Sequence, residues 1–249
     1  MWLYSLRGCF FALALLALPS ASLASEARVA VAANFTEAAR VLAAAYEQAS
    51  GDQVALSFGS TGLLYAQITQ GAPFDAFLAA DKTRPARAVA DGFGVAGTGF
   101  TYATGRLVLF TLQDDLELGA DALTGAGVSR VAIANPATAP YGAAAIETLT
   151  AFSVLDEVAP KLVRGTNVAQ AYQFVFSGSA EVGFVALSQV VGRSGGAWWP
   201  VPGRFHQPIA QDAVLLTRGA NNKAAIGFLD FLKTDRAREI IAAHGYALP

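Results

Sequence analysis

Along this chain of 249 residues, apolar runs of about five residues alternate with longer stretches whose apolar positions recur every three or four residues. The short runs read as buried strands and the longer stretches as helices packed on them. Residues 28–33 form the first strand. Asn34-Phe35-Thr36 follows, with Thr36 placed to cap a helix carrying Ala38, Val41, Leu42, Ala45 and Tyr46 on one face and ending at Gly51. Strand 54–58, helix 63–71 and strand 75–80 come next, and Asp81 is placed to cap a helix through about residue 90. Further on, strands are expected at 106–111, 131–134, 162–165 and 181–186. Helices are expected around Ala145, Ile146, Leu149 and Phe152, and over 168–176. Residues 194–200, with Trp198-Trp199, read as a loop. Strand 213–217, a helix capped by Asn221-Asn222 and a last helix over 235–244 close the chain. This alternation predicts an α/β protein with mostly parallel sheets and right-handed crossovers. A change of character at 104–106, with a return near 207–211, predicts a chain that crosses into a second lobe and comes back.

Composition narrows the classes. Apolar residues make up 54% and charged residues 14%, which excludes extended disorder. Net charge is −2 with no basic stripe, so no nucleic-acid partner is expected. Residues 1–24 have the form of a cleavable signal: Arg7, an apolar core over 10–18, Pro19, and Ser22-Leu23-Ala24 for cleavage after Ala24. The apolar core is too short to span a bilayer. Cleavage would leave 16 basic and 19 acidic residues, a net charge of −3. The only cysteine, Cys9, lies in that segment, so the mature chain would carry no thiol, disulfide or thiolate metal site. Gly8-Cys9 precedes the apolar core, which argues against lipoprotein acylation. A soluble, exported protein is expected.

The candidate chemistry lies in turns after strands. In Ser57-Phe58-Gly59-Ser60-Thr61-Gly62-Leu63-Leu64 a strand end, a small-residue turn and a helix start adjoin. Such a turn leaves backbone N–H groups without intrahelical partners at the positive end of the helix dipole, a setting suited to an oxyanion. No Lys, Arg or His lies between Ser57 and Asp81, so an anion held there is held by dipoles. Asn34 sits where open α/β sheets place ligand loops, Tyr141-Gly142 opens a helix after Pro140, and Thr166-Asn167-Val168 opens another, with only a backbone N–H to offer at Val168. Each also has a plain structural reading: turn shaping for Asn34, capping for Ser60, Thr61 and Asn167, packing for Tyr141. Four neutral helix starts together point to anion binding. Signals for an enzyme are poor. His206 and His244 are isolated, and neither a G-x-S-x-G nor a Walker pattern occurs. Asp75 and Asp81 flank one strand and read either as a general acid and base or as a loop acceptor and a cap. Trp198-Trp199 reads as a docking surface or as a loop folded over the core.

The runs Ala32-Ala33-Asn34-Phe35-Thr36, Phe58-Gly59-Ser60-Thr61-Gly62-Leu63 and Gly71-Ala72-Pro73-Phe74-Asp75-Ala76-Phe77-Leu78-Ala79-Ala80-Asp81 resemble the periplasmic molybdate-binding proteins of bacterial ABC transporters. So do Asn135-Pro136, Pro140-Tyr141-Gly142, Glu181-Val182-Gly183-Phe184-Val185 and the closing stretch 228–246, in one collinear order over about residues 28–247. The resemblance implies a two-lobed type II periplasmic-binding fold, each lobe a mostly parallel sheet flanked by helices and joined by two crossing segments. The lobes are expected at 25–105 with 211–249, and at 106–210. Carried over, the contacts to molybdate or tungstate are Asn34, Ser60, Tyr141 and Val168, with Thr61 and Ala186 as further candidates. Some members carry serine at Asn34, alanine at Tyr141 and tyrosine at Ala186, which leaves open the second-lobe side chain that donates. The resemblance also implies no catalytic residue, no cofactor, and molybdenum held only as its oxyanion without a protein–metal bond. The implied partners are the membrane permease subunits of an ABC transporter, the location is periplasmic, and a monomer is expected. Readings kept open beside it are a receptor for another tetrahedral oxyanion such as sulfate, a ferric-ion receptor, an exported hydrolase using Asp75 or Asp81, and a domain docking through Trp198-Trp199.

Overall fold

A computed structural model describes residues 25–249; the expected signal segment and Cys9 lie outside the described residues. The first half contains β1 (Glu26–Ala32), a 3-10 turn (Ala33–Phe35), α1 (Thr36–Ser50), β2 (Gln53–Gly59), α2 (Thr61–Thr69), β3 (Ala76–Leu78), α3 (Thr83–Ala90) and β4 (Phe100–Gly105). The middle contains β5 (Leu107–Thr111), α4 (Ala120–Thr124), β6 (Val131–Ala134), α5 (Pro140–Ala151), α6 (Leu155–Val158), β7 (Leu162–Gly165), α7 (Val168–Phe176), β8 (Val182–Ala186), α8 (Leu187–Val190) and β9 (Ala197–Pro200). The chain ends in β10 (Ile209–Leu215), α9 (Lys223–Phe231) and α10 (Asp235–Ala243).

The strands form two five-stranded sheets, ordered β2-β1-β3-β10-β4 and β7-β6-β8-β5-β9. In each, four strands share a direction and one is reversed: β10 in the first, β5 in the second. The reversed strand is in each case the one that arrives from the other sheet. Only Arg106 separates β4 from β5, and residues 201–208 carry the chain back from β9 to β10.

Both sheets are covered on both faces, which is why their strands read as continuous apolar runs. Val29 and Val31 of β1 join Leu42, Phe228 and Ile241 in one core, while Ala30 faces Leu64, Ile68 and Phe77 on the other side. Leu107 and Leu109 of β5 pack with Ile133, Leu149 and Phe184, and Val108 and Phe110 with Tyr172 and Val175.

Several boundaries differ from the sequence expectation. Thr36 is the first helical residue and its hydroxyl donates back to Ala33 O, because a 3-10 turn already fills the strand-to-helix step. Val41 of α1 is exposed, since the buried face runs through Ala38, Ala39, Leu42, Ala43 and Tyr46. Residues 197–200 form the edge strand β9 against β5, where Pro200 is tolerated because an edge needs fewer ladder donors. Trp199 packs near Phe152 while Trp198 stays exposed.

Asp75 is a staple of the first sheet. It is buried just before β3, its carboxylate accepts from Arg28 N (2.8 Å) and pairs with the Arg218 guanidinium. Asp81, beyond the other end of β3, accepts from Arg84 N (2.8 Å) and pairs with the Arg84 side chain. Both carboxylates are therefore engaged at opposite ends of one short strand. Asp75→Ala strands a backbone N–H and is expected to cost about 1–3 kcal/mol of stability. Urea unfolding should show a lower midpoint at unchanged slope, and an unshifted midpoint would remove the staple role.

Candidate functional site

In both sheets the carboxyl ends of the strands run into helix starts, and these starts meet at one small cavity. β1 runs into the 3-10 turn, bringing Ala33 and Asn34. β2 runs into α2, bringing Gly59, Ser60 and Thr61. From the second sheet, the loop after β6 brings Ala139, Pro140 and Tyr141 at the start of α5, and the turn after β7 brings Asn167 and Val168 at the start of α7. With Ala32 and Ala80 these complete the lining, and none of them carries a charge.

The donors differ in how free they are. Ser60 is 3% exposed and stands at the N-cap of α2, yet its hydroxyl makes no capping bond and has no hydrogen-bond partner. A buried hydroxyl left unpaired costs about 1–3 kcal/mol, so this orphan marks a place for an acceptor. The Thr61 hydroxyl accepts from Ala80 N (3.0 Å) and ties α2 to the chain leaving β3; its first-turn N–H has no intrahelical acceptor. Val168 is the first residue of α7, capped by Asn167, whose Oδ1 accepts from Gln170 N (3.0 Å); the Val168 N–H is likewise free of the helix ladder. Ala186 lies outside the lining. It pairs with Leu107 in the sheet and its N–H donates to Gln189 Oε1 (2.9 Å).

Behind the cavity lies a buried polar cluster absent from the sequence reading. Asn34 Nδ2 donates to Gln211 Oε1 and to Tyr246 Oη, both at 3.0 Å. Tyr102 Oη is 3.0 Å from both Ala79 O and Gln211 Oε1. Asn34 O accepts from Tyr246 Oη (2.7 Å) and from Ser188 Oγ (2.8 Å). Thus the Asn34 side chain turns its amide hydrogens into the cluster. Gln211 was findable: it is an inward polar position in a strand otherwise lined by Ile209, Ala213 and Leu215. Tyr102, Tyr246 and Ser188 had no comparable local signal. Burial pushes the phenols of Tyr102 and Tyr141 well up from their usual range and raises that of Tyr246, so all three stay protonated near neutral pH.

The two halves touch across the cavity. Gly62 N donates to Thr138 O (2.8 Å), Arg84 Nη2 to Ala137 O (3.3 Å), and Ser188 Oγ to Asn34 O. A Cβ at Gly62 would lie 3.0 Å from Thr138 Cα and O and 3.2 Å from Arg84 Nη2, so any larger residue crowds this approach. Among the described residues no group of three or more His, Cys, Asp or Glu is placed to hold a metal ion.

Comparison with known proteins agrees with this geometry. Residues 27–247 match the family described as bacterial extracellular solute-binding protein. The molybdate-binding protein ModA of Rhodobacter capsulatus is 49% identical over 97% of this chain and 96% of its own length. The protein of the same name from Azotobacter vinelandii is 47% identical over 98% and 99%. Among solved structures, the periplasmic molybdate-binding protein of Azotobacter vinelandii superposes with a TM-score of 0.86 at 37% identity, covering 90% of this chain and 99% of that one.

Two outcomes follow from the geometry. Phenols raised by burial keep their protons in the folded state, whereas in the unfolded chain they ionise near pH 10. Their contribution is therefore whole below about pH 10 and declines above it. Melting temperature should hold steady from about pH 7 to 9 and fall beyond about pH 10, less steeply in Tyr141→Phe. A fall that begins near neutrality would exclude the phenols as its cause. Gly62→Ala should keep the fold but disfavour contact between the halves, giving a more extended particle by small-angle scattering. An unchanged scattering profile would show that this contact does not control closure.

Proposed function

The chain belongs to the bacterial extracellular solute-binding proteins, and on that premise we propose that it captures molybdate, and equally tungstate, between two lobes and delivers the anion to an ABC permease. The observation that carries this reading is the unpartnered Ser60 hydroxyl, buried in a cavity whose lining holds no charge. A dianion loses much hydration free energy on burial and needs many aimed donors in return. Helix starts supply them without a counter-ion. The proposed contacts are the Ser60 hydroxyl, the Tyr141 hydroxyl, and the backbone N–H groups of Asn34, Thr61 and Val168; Ala186 is not among them.

A cage of fixed donors selects by size. Molybdate and tungstate nearly match, while sulfate is smaller and leaves donors unfilled. We take the lobes as 25–105 with 211–249, and 106–210; the passage from β4 to β5 at Arg106 and the return into β10 support these limits. The mature protein, cleaved after about Ala24, is taken to work as a periplasmic monomer. The engagement of Asp75 and Asp81 in structural bonds argues against the hydrolase alternative.

Calorimetric titration of the mature protein tests the reading. Molybdate and tungstate should bind one to one, with sulfate and phosphate silent. Ser60→Ala should weaken molybdate by about 1.5–3 kcal/mol, the scale of a hydrogen bond to a charged group. A preference for sulfate would move the assignment to another oxyanion, and unchanged affinity in Ser60→Ala would overturn the site.

A further inference from the structure

Opposite β10, strand β4 carries a bulge: Tyr102 is the extra residue between Ala103 and Thr101, the partners of Gln211 and Asp212. Bulges re-aim side chains and concentrate near functional sites. Across from this bulge Gln211 of β10 points inward, with no exposed surface at all. A carboxamide so deeply buried is costly unless every polar atom is engaged. Its Oε1 accepts from Asn34 Nδ2 and faces Tyr102 Oη, each at 3.0 Å. Those two contacts leave Nε2 facing Tyr141 Oη, at 3.5 Å. Backbone also makes room for this pair. A Cβ at Gly105, the last residue of β4, would lie 2.1 Å from Tyr141 Oη and 2.7 Å from Gln211 Nε2.

A phenol has one proton and two lone pairs. An oxygen that accepts from Gln211 keeps its proton for another partner, and Tyr141 lines the cavity beside Ser60. We propose that Gln211 is a positioning residue: by donating to the Tyr141 oxygen it turns the phenolic proton toward the bound anion. The orientation matters because a Tyr141 hydroxyl that donated to Gln211 would present lone pairs to a dianion. Asn34 and Tyr102 hold Gln211 from the first half of the molecule, and Tyr141 belongs to the second. The donor is therefore set only when the halves are together. This proposal rests on the oxyanion-binding reading and deepens it by naming the residue that aims the Tyr141 donor.

The test is a double-mutant cycle, with sodium molybdate titrated into wild type, Gln211→Met, Tyr141→Phe and the double variant. Gln211→Met should weaken binding about tenfold beside Tyr141 and less than about twofold beside the phenylalanine, as expected when one hydrogen bond to a charged group is lost. Gln211→Glu keeps the size and guards against a misfolded methionine variant. Its carboxylate draws the phenolic proton away, so affinity should fall further and recover as pH is lowered, more with Tyr141 present than with phenylalanine. Equal losses in both backgrounds, or wild-type affinity in Gln211→Met, would overturn the positioning role while leaving the binding function standing. A wild-type protein silent toward molybdate would overturn the function itself, and this proposal with it.

Discussion

For the proposed oxyanion ligand one constraint governs the architecture: a doubly charged ion has to be desolvated in a cavity whose lining carries no charge. The only strong donors a neutral backbone can concentrate are the unpaired N–H groups at helix starts, and a single helix supplies too few. Strands β1, β2 and those leading to α5 and α7 therefore have to end at a common point, from two sheets, with small residues in each turn. The sheet orders, the brief passage at Arg106 and the contact of Gly62 with Thr138 all serve that convergence.

Much of this was legible from local pattern. The apolar runs located most strands because both faces of each sheet are covered, and the small-residue turns at Ser60-Thr61 and Thr166-Asn167 marked two of the helix starts that line the cavity. The family resemblance rested on the same segments, and the similarity to molybdate-binding proteins over nearly the whole chain agrees with it. Boundaries slipped where a tertiary partner decides them. β9 forms because β5 offers an edge, and nothing in Ala197-Trp198-Trp199-Pro200 announces that edge.

The joining of separate side chains into one polar cluster was illegible for a different reason. Asn34, Tyr102, Tyr141, Ser188 and Gln211 come from five separate elements and Tyr246 from the segment after α10, and they meet only when both sheets are in place. Tyr102 and Tyr246 look like ordinary core aromatics, and each does pack edge-on against Phe35. Their hydroxyls acquire a role through the acceptors around them, which is information that spacing along the chain does not hold. The Asn34 side chain shows the converse. It was singled out as a ligand contact, and its amide nitrogen is engaged within the cluster, by Gln211 and Tyr246.

The reversed strand in the first sheet has a consequence for how the molecule comes into being. All five strands of the second sheet lie within residues 107–200, so that unit can assemble from one continuous stretch. The first sheet cannot, because β10 sits between β3 and β4 and is not synthesised until residues 209–215. Until then β3 and β4 lack the strand that joins them, and the pairing that unites them spans more than a hundred residues of chain. Closing so long a loop is slow. The first sheet, begun by the earliest strands, is thus the last to be completed, and its closure waits on the carboxy-terminal part of the chain.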